Sequence, residues 1–320
     1  MLLKLVESGS AGDRVMFRRA AEALIAEERG RRHDVLADQL EQRIRRPEKE
    51  GVLLSTLGDA AADAYVHATL PARSLTDLYL AAPLLEIVGE LIEEQQRRTL
   101  LQSFNLEPRH RIMLVGPPGN GKTSLAEALA FELAVPLMSV RYDRIIGSYL
   151  GETAYRISQL FDFVRTRQCV LFFDEFDAIA KERGDPHDTG EVKRVVSSLL
   201  LQIDSLPSHV VVVTATNHPE LLDRAVWRRF EVRLELPAPG PIQREAFLRA
   251  RLGSAVGESR RSYDSISRSL AGSSFAELTD FVLDVQRRMV LQQGEAKPDE
   301  ILKSRLRQWN SRRKVTGTTS

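Results

Sequence analysis

A glycine-rich stretch at residues 111–124, RIMLVGPPGNGKTS, carries residue types that bind phosphate. It opens with a short apolar run that predicts a buried strand, and the segment after it has helical spacing. Between them, GPPGNGKT matches G-x-x-x-x-G-K-[ST] at every fixed position. Glycines let backbone N–H groups curl around phosphate oxygens, and a helix start adds partial positive charge. The stretch therefore predicts a nucleotide-phosphate site. Its residues are Gly116, Pro117, Pro118, Gly119, Asn120, Gly121, Lys122, Thr123 and Ser124.

Two side chains of this loop and two acids farther along the chain have specific expected roles. Lys122 would reach the β- and γ-phosphates, and the Thr123 hydroxyl would bind Mg²⁺. A second apolar run ends in Asp174 and Glu175, at the strand end where function collects in open α/β sheets. Asp174 is expected to hold Mg²⁺ through water, and Glu175 to polarise the water that attacks the γ-phosphate.

A third apolar run and an arginine pair complete the candidate chemistry. The run at 210–216 ends in Asn217, whose carboxamide either bonds the attacking water or a γ-phosphate oxygen, or serves only as a turn residue. Arg228 and Arg229 follow, and phosphoryl transfer needs extra positive charge that an arginine of another subunit can supply. Because these arginines come too late in the chain to reach their own nucleotide easily, a neighbouring copy's site is the expected target.

Composition and charge indicate in which compartment the protein works and which classes of partner it binds. The chain of 320 residues has a formal net charge of +1, so its bulk charge predicts neither a nucleic-acid-binding nor a membrane-surface protein. The single cysteine, Cys169, lies in an apolar run and is expected to be buried in a reducing compartment. The first residues are charged too early for a signal peptide. We therefore expect a cytoplasmic protein.

The pattern along the chain predicts five segments. Residues 1–70 are expected to form a helical domain, either a docking or adaptor module or a small bundle that only packs on the rest of the chain. Residues 71–107 form a linker and a leading helix, 108–238 an α/β unit, 239–309 a helical unit, and 310–320 a disordered basic tail. Alternation of apolar runs with helical segments predicts a parallel sheet covered on both faces. The predicted strands are 112–115, 137–141, 169–173, 210–215 and 232–236.

Together these motifs closely resemble the AAA+ ATPases, and within them the AAA clade typified by protein-remodelling hexamers. GPPGNGKT and FFDEFDAIA resemble Walker A and Walker B, Asn217 resembles sensor 1, and Arg228 and Arg229 resemble the arginine-finger pair. The resemblance covers residues from about 80 to 290. It implies a Rossmann-like subdomain with a helical lid, ATP and Mg²⁺ bound between them, and a ring, usually of six copies.

The resemblance also extends to the pore and the lid. Residues 146–152, IGSYLGE, resemble the clade's pore loop, with Tyr149 as the aromatic that grips substrate and Leu150 beside it. The segment 272–278 resembles the sensor 2 region, which implies a nucleotide contact at Ala276 and offers no arginine there. Two departures are Asn120, where the family commonly has threonine, and the missing Pro-Gly between the arginines.

We compare three functional hypotheses with these features. The leading one is a ring-forming ATPase that remodels or threads a protein. The short form resembles small bacterial AAA ATPases, some of which are encoded beside a subtilisin-like serine protease and are associated with defence against foreign DNA. A DNA-acting AAA+ protein, such as a loader or transposition helper, would need a basic surface that the charge pattern does not supply. An ATP-gated scaffold would not need Glu175 and both arginines.

Overall fold

The computed structural model describes residues 65–146, 150–181, 191–253, 260–292 and 298–316. Chain contacts divide the protein into Met1–Ala60 and Ala61–Ser320, and all described residues belong to the second unit. The helical segment predicted before residue 65 and the predicted pore residue Tyr149 lie outside the described residues. No helix within these ranges is both long and apolar enough to cross a membrane.

A six-stranded sheet forms the centre of the α/β part. Its strands are β1 (Val66–Thr69), β2 (Arg111–Val115), β3 (Leu137–Val140), β4 (Cys169–Phe173), β5 (Val210–Thr216) and β6 (Val232–Glu235). The spatial order is β1-β3-β4-β5-β2-β6, and all neighbours pair in parallel except β1, which runs antiparallel to β3. The predicted α/β class is confirmed. Because β4, β5 and β2 are parallel neighbours, their carboxyl ends meet at one edge of the sheet.

Helices cover both faces of the sheet. They are α1 (Ala82–Gln96), α2 (Arg98–Ser103), α3 (Lys122–Leu133), α4 (Tyr142–Ile145), α5 (Leu150–Arg165), α6 (Phe176–Lys181), α7 (Glu191–Asp204) and α8 (Arg224–Trp227). Alternate residues of a strand point to opposite faces, so β4 supplies two cores. Phe173 packs in the core that includes α5 and α7, and Phe172 in the core that includes α1 and α3. Burial of each ring stabilises the fold by about 1.5–3 kcal/mol.

The chain after β6 is helical, as the sequence predicts. It forms α9 (Pro241–Leu252), α10 (Arg260–Ser269), α11 (Phe275–Leu291) and α12 (Pro298–Thr316). A third core lies among these helices, around Phe247, Tyr263 and Phe281. Tyr79, from the segment before α1, packs against this core with its ring centroid 5.4 Å from that of Phe247. The segment before α1 therefore directly contacts the helical unit of α9 to α12, which corresponds to the expected lid.

Two predictions about the ends of this unit are wrong. Residues 66–69, assigned to the helical domain 1–70, form β1 and pair with β3 in the register Val66↔Val140. The strand buries Val66 in the core that includes α5 and α7, which stabilises this pairing. The tail predicted to be disordered from residue 310 is helical as far as Thr316, where α12 ends. Neither glycine nor proline interrupts the stretch from 310 to 316, so nothing in its sequence ends the helix earlier.

Candidate functional site

The phosphate loop has a backbone that only glycine fits at two positions. Gly116 has φ +148°, and a Cβ there would lie 2.3 Å from the carbonyl oxygen of Leu236 after β6. Gly119 has φ +77°, and a Cβ there would lie 2.9 Å from the Cβ of Ala276 at the start of α11. The Ala276 N–H also donates to the Gly119 carbonyl at 3.0 Å. The loop is therefore locked between a strand end and the lid, and Ala276 lies beside it. The nucleotide contact predicted for Ala276 stays a prediction.

Lys122 lies at the centre of the site. Its ammonium donates to the carbonyl oxygens of Gly116 at 2.6 Å and Pro117 at 3.0 Å, and to the Asn217 side-chain oxygen at 2.6 Å. Burial lowers the pKa of Lys122, while the negative charges of Asp174 and Asp177 act in the opposite direction. The structure thus brings the phosphate-loop lysine and Asn217 into direct contact across the carboxyl ends of β2 and β5.

The predicted acids follow β4 at the same edge. The Thr123 hydroxyl donates to a carboxylate oxygen of Asp174 at 3.1 Å, so the two predicted metal ligands are adjacent. These hard oxygen donors fit Mg²⁺, which binds through few carboxylates together with substrate phosphates. In the described part of the chain, no cluster of three His, Cys, Asp or Glu could hold a metal by itself. Thr123 and Asp174 would hold the ion together with the nucleotide.

Glu175 has an unusual backbone. Its φ is +48°, in the left-handed region that costs a residue with a side chain about 1–3 kcal/mol and that clusters at functional sites. The Glu175 N–H donates to its neighbour Asp174 at 3.0 Å, and the Glu175 side chain is exposed beside the phosphate loop. The turn after β4 therefore holds a strained residue with a free carboxylate at the place where attacking water is expected.

Asp177 is a functional candidate that the motif analysis missed. It is 8% exposed, accepts from the Thr216 hydroxyl at 2.8 Å, and accepts from the Asn217 N–H at 3.3 Å. These bonds fix the end of β5 and aim the Asn217 side chain at Lys122. The signal was present in the sequence, since a third acid follows Glu175 in FDEFD, on the first turn of α6.

A cavity of about 530 Å³ lies over the loop, a volume typical of small-molecule sites. The loop lines it from Pro118 to Ser124, together with Asp174, Glu175 and Asn217. The segment before α1 and the lid form the remaining walls. Their lining residues are Arg73, Asp77, Leu78, Tyr79, Leu80, Phe247, Arg251, Phe275, Ala276 and Thr279. Of these, the sequence analysis named only Ala276.

Two buried polar side chains near this edge lack hydrogen-bond partners among the residues that the structure describes. Asn120 is 3% exposed, and both polar atoms of its amide are unbonded. The Tyr142 hydroxyl is also buried and unbonded, and burial, followed by the charges of Asp174, Asp177 and Glu175, raises its pKa. Asn120 is the position where the resembled family commonly has threonine, so the departure noted in the sequence coincides with an unsatisfied amide.

The arginine pair lies at the opposite edge of the sheet. Arg229 forms an ion pair with Asp204 at the end of α7, and Asp204 also accepts from Arg111 at 3.3 Å. Arg111 begins β2, whereas the phosphate loop follows the other end of that strand, about 13 Å away at 3.3 Å per residue. Arg228 is exposed and has no ion-pair partner among the residues that the structure describes. The two arginines are therefore neighbours with different surroundings.

The predicted pore residues lie at the edge of what the structure describes. Tyr149 is not among the described residues. Leu150 begins α5, but its side chain is not among those that the structure describes. Their proposed contact with substrate stays a prediction.

Comparisons with known proteins agree with this geometry. Residues 112–238 match the family model "ATPase family associated with various cellular activities (AAA)". The chain is 37% identical over 286 residues to the "Uncharacterized AAA family ATPase y4kL" of Sinorhizobium fredii, covering 86% of this chain and 85% of that protein. It is 42% identical over 134 residues to the "Peroxisomal ATPase pex6" of Schizosaccharomyces pombe, covering 40% of this chain and 14% of that protein.

A third relative is the "Putative 26S proteasome regulatory subunit homolog" of Methanothermobacter marburgensis, 36% identical over 179 residues, covering 55% of this chain and 48% of that protein. The y4kL match extends over most of both chains, whereas the other two are confined to part of each protein. The phosphate loop, the acids after β4 and Asn217 all fall within the residues that match the family model. The chain therefore belongs to the AAA family of ATPases and hydrolyses ATP.

Proposed function

We propose that the chain acts as a ring-forming motor in which each ATP site is completed by Arg228 of a neighbouring copy. The observation that carries this proposal is that the hydrolytic groups and Arg228 lie at opposite ends of strand β2. The hydrolytic groups follow the carboxyl ends of β2, β4 and β5, whereas Arg228 lies near the start of β2, exposed to solvent. A guanidinium at that edge is too far from its own phosphate loop, but a second copy can meet it.

Within one site, the residues divide the work. Lys122 neutralises the β- and γ-phosphates, and Thr123 and Asp174 hold Mg²⁺, which stabilises the charge of those phosphates. Glu175 accepts the proton of the attacking water, and Asn217, aimed by Asp177, orients that water or the γ-phosphate. Arg228 of the neighbour would then stabilise the charge that develops on the transferred phosphoryl group.

Protein is the proposed substrate. The names of two relatives, a peroxisomal ATPase and a proteasome regulatory subunit homologue, support this class. The predicted pore residues Tyr149 and Leu150 would contact the extended chain. The residues before β1 would dock an adaptor or a separate protease, as in the resembled bacterial pairs.

Mixing two inactive variants tests the shared site. Glu175→Gln retains Arg228 but lacks the general base, whereas Arg228→Ala retains the base but lacks the arginine. If Arg228 acts across subunits, the mixture should regain ATP turnover because Glu175→Gln subunits lend their arginine to Arg228→Ala subunits. A mixture as inactive as its parts, under conditions where both variants assemble, would contradict the shared site.

Stimulation by an unfolded protein tests the substrate class. Unfolded casein should raise ATP turnover of the native chain, and Tyr149→Ala should lose this stimulation while keeping basal turnover. Duplex DNA at the same mass concentration is the matched probe for the competing class. Stimulation by DNA and not by casein would overturn the protein-remodelling proposal without affecting the shared-site proposal.

A further inference from the structure

Arg73 contacts the phosphate loop from outside the AAA motifs. It lies in the segment before α1 and lines the nucleotide cavity together with Asp77 of the same segment. Its guanidinium donates a hydrogen bond to the Ser124 hydroxyl in the first turn of α3. Its other close contact is with Glu127, one helical turn farther along, at 3.7 Å.

The position of this guanidinium is electrostatically unfavourable for the protein alone. Arg73 lies against the first turn of α3, where the helix dipole is positive and attracts anions. Lys122 adds a further positive charge in the same turn. The carboxylates of Glu127 and Asp77 offset this only in part, since the Glu127 ion pair is long and the Arg73 side chain is 43% exposed. A cation kept at a positive helix end indicates that an anion is bound between them during function.

The order of residues along the loop identifies the part of the nucleotide that Arg73 meets. Lys122 is the residue for the β- and γ-phosphates, and Thr123 is the residue for the metal between them. Ser124 is the next residue along the chain. The same cavity is lined by Tyr79, Phe247 and Phe275, which form an aromatic wall with ring centroids 5.4–6.3 Å apart that suits a base. The group between the metal and the base is the α-phosphate.

The lid supplies no charge to replace Arg73 at this position. Its helix α11 begins beside Gly119 with Phe275 and Ala276, neither of which is charged. Arg251 of α9 also lines the cavity, but its guanidinium carbon lies 5.8 Å from the Phe247 ring centroid, on the aromatic side. Among the described residues, Arg73 is the cation that bonds to the loop where the α-phosphate would lie.

We propose that Arg73 is a nucleotide-binding residue whose guanidinium contacts the α-phosphate and thereby ties the segment before α1 to the bound nucleotide. The inference rests on the established ATPase activity and not on ring assembly or on a protein substrate. It adds to the site a residue that is remote from every AAA motif in the sequence.

Displacement of a fluorescent ADP in the presence of EDTA tests this assignment without turnover and without metal. The competing ligands are ADP, AMP, a non-hydrolysable ATP analogue and adenosine. Arg73→Gln should weaken binding of the three phosphorylated ligands by a similar factor of about tenfold, because each has an α-phosphate. Adenosine should bind equally to the variant and the native chain.

Arg97→Gln is the matched control. Arg97, like Arg73, is an arginine that precedes β2 in the chain, but it is exposed outside the cavity and forms an ion pair with Glu93 at 3.0 Å. It should bind all four ligands as the native chain does. A loss confined to the triphosphate analogue would move the contact to the γ-phosphate and overturn the assignment. Unchanged binding of ADP and AMP, or an equal loss for adenosine, would overturn it as well.

Glu127→Gln distinguishes ligand binding from a structural role. This variant removes the acidic partner of Arg73 but leaves its guanidinium free to meet a phosphate. If Arg73 binds nucleotide, affinity for ADP should stay the same or rise. If the Arg73–Glu127 pair only braces the loop, Glu127→Gln should weaken ADP binding as much as Arg73→Gln does, and the proposal fails.

Discussion

The two ends of strand β2 carry charged groups in opposite arrangements. At the carboxyl end, the groups that we propose for hydrolysis already contact each other within one chain, through the pairs Lys122–Asn217 and Thr123–Asp174. At the amino end, Arg229 is held by Asp204, while the adjacent Arg228 is exposed and without an ion-pair partner among the described residues. One edge is a nearly complete site, whereas the other presents charge that its own nucleotide cannot use.

A hydrogen-bond network at the amino end of β2 explains why the adjacent residues Arg228 and Arg229 have different surroundings. Glu231 accepts from the backbone N–H groups of His110 at 2.8 Å and Arg111 at 3.1 Å, and its other oxygen accepts from the Arg111 guanidinium at 2.7 Å. Arg111 in turn bonds Asp204, the partner of Arg229. This network fixes the backbone from which Arg228 projects. A pre-positioned arginine loses less entropy when it meets a neighbour's phosphate.

The largest expected effect separates the two arginines. Arg228→Ala should lower kcat for ATP by about 10³-fold with little change in KM, because an arginine in trans stabilises the transition state more than the bound substrate. Arg229→Ala should cost less in kcat and should also lower stability, since it leaves Asp204 without one partner. Steady-state kinetics and urea unfolding of both variants measure these differences.

Arg224→Ala is the control for this pair, because Arg224 is an exposed arginine on α8 in the same segment. It should behave as the native chain. Equal losses of kcat in Arg228→Ala and Arg229→Ala, with no loss of stability in either, would remove the distinction between a free and a held arginine.

At the carboxyl edge, Glu175 should separate activity from stability. Glu175→Gln should lose turnover by about 10²-fold or more while binding ATP normally. Glu175→Gly should be equally inactive but more stable by about 1 kcal/mol, because glycine adopts the positive φ of +48° without strain. ATP turnover and urea unfolding test both variants. A less stable Glu175→Gly would mean that the turn is not strained.

Lowering the pH should reduce the contribution of the amino edge to the stability of the fold. Burial, with Glu231 opposing and Arg111 assisting, lowers the pKa of His110 from its ordinary 6.5, so the unfolded chain binds a proton more readily than the folded chain. Burial alone would raise the pKa of Glu231, but its hydrogen bonds with His110 and Arg111 lower it from 4.5. For a His with a lowered pKa, stability is lost as pH falls below 6.5. The Glu231 contribution is lost later, as pH falls below 4.5.

Urea unfolding between pH 7.5 and 5.5 isolates the histidine. The native chain should lose up to about 1.4 kcal/mol per pH unit more than His110→Gln does, the limit set by one proton. His67→Gln, which replaces an exposed histidine on β1, is the matched substitution outside this network. An unchanged slope in His110→Gln would show that this edge does not titrate in that range.

Much of the hydrolytic edge could be predicted from the sequence, because each of its parts follows an uninterrupted apolar run. Because β4 and β5 are buried on both faces, their sequences are continuous hydrophobic segments. The polar residues that follow these segments mark the carboxyl edge of the sheet. The contacts between distant segments could not be predicted. Arg73 meets Ser124, and Arg229 meets Asp204, only after folding, and no local pattern distinguishes these arginines from solvated ones.

The smallest predicted effect concerns a weak point in the carboxyl edge. Asn120 buries an amide with no partner for either polar atom, a cost of about 1–3 kcal/mol for each unsatisfied group. Asn120→Thr keeps a small side chain and removes one polar atom, so it should raise stability by about 1 kcal/mol, or Tm by about 2–4 °C. ADP affinity should stay within about twofold, because the loop backbone, and not this side chain, cradles phosphate.

The same substitution also sharpens the comparison of the two edges. Asn105→Thr serves as the control, since Asn105 is exposed and has φ +57°, which asparagine tolerates better than a β-branched residue does. It should lower stability, opposite in sign to Asn120→Thr. If Asn120→Thr also lowers stability, the amide has a partner in solution, such as an ordered water. The buried Asn120 amide would then not be a weak point of the carboxyl edge.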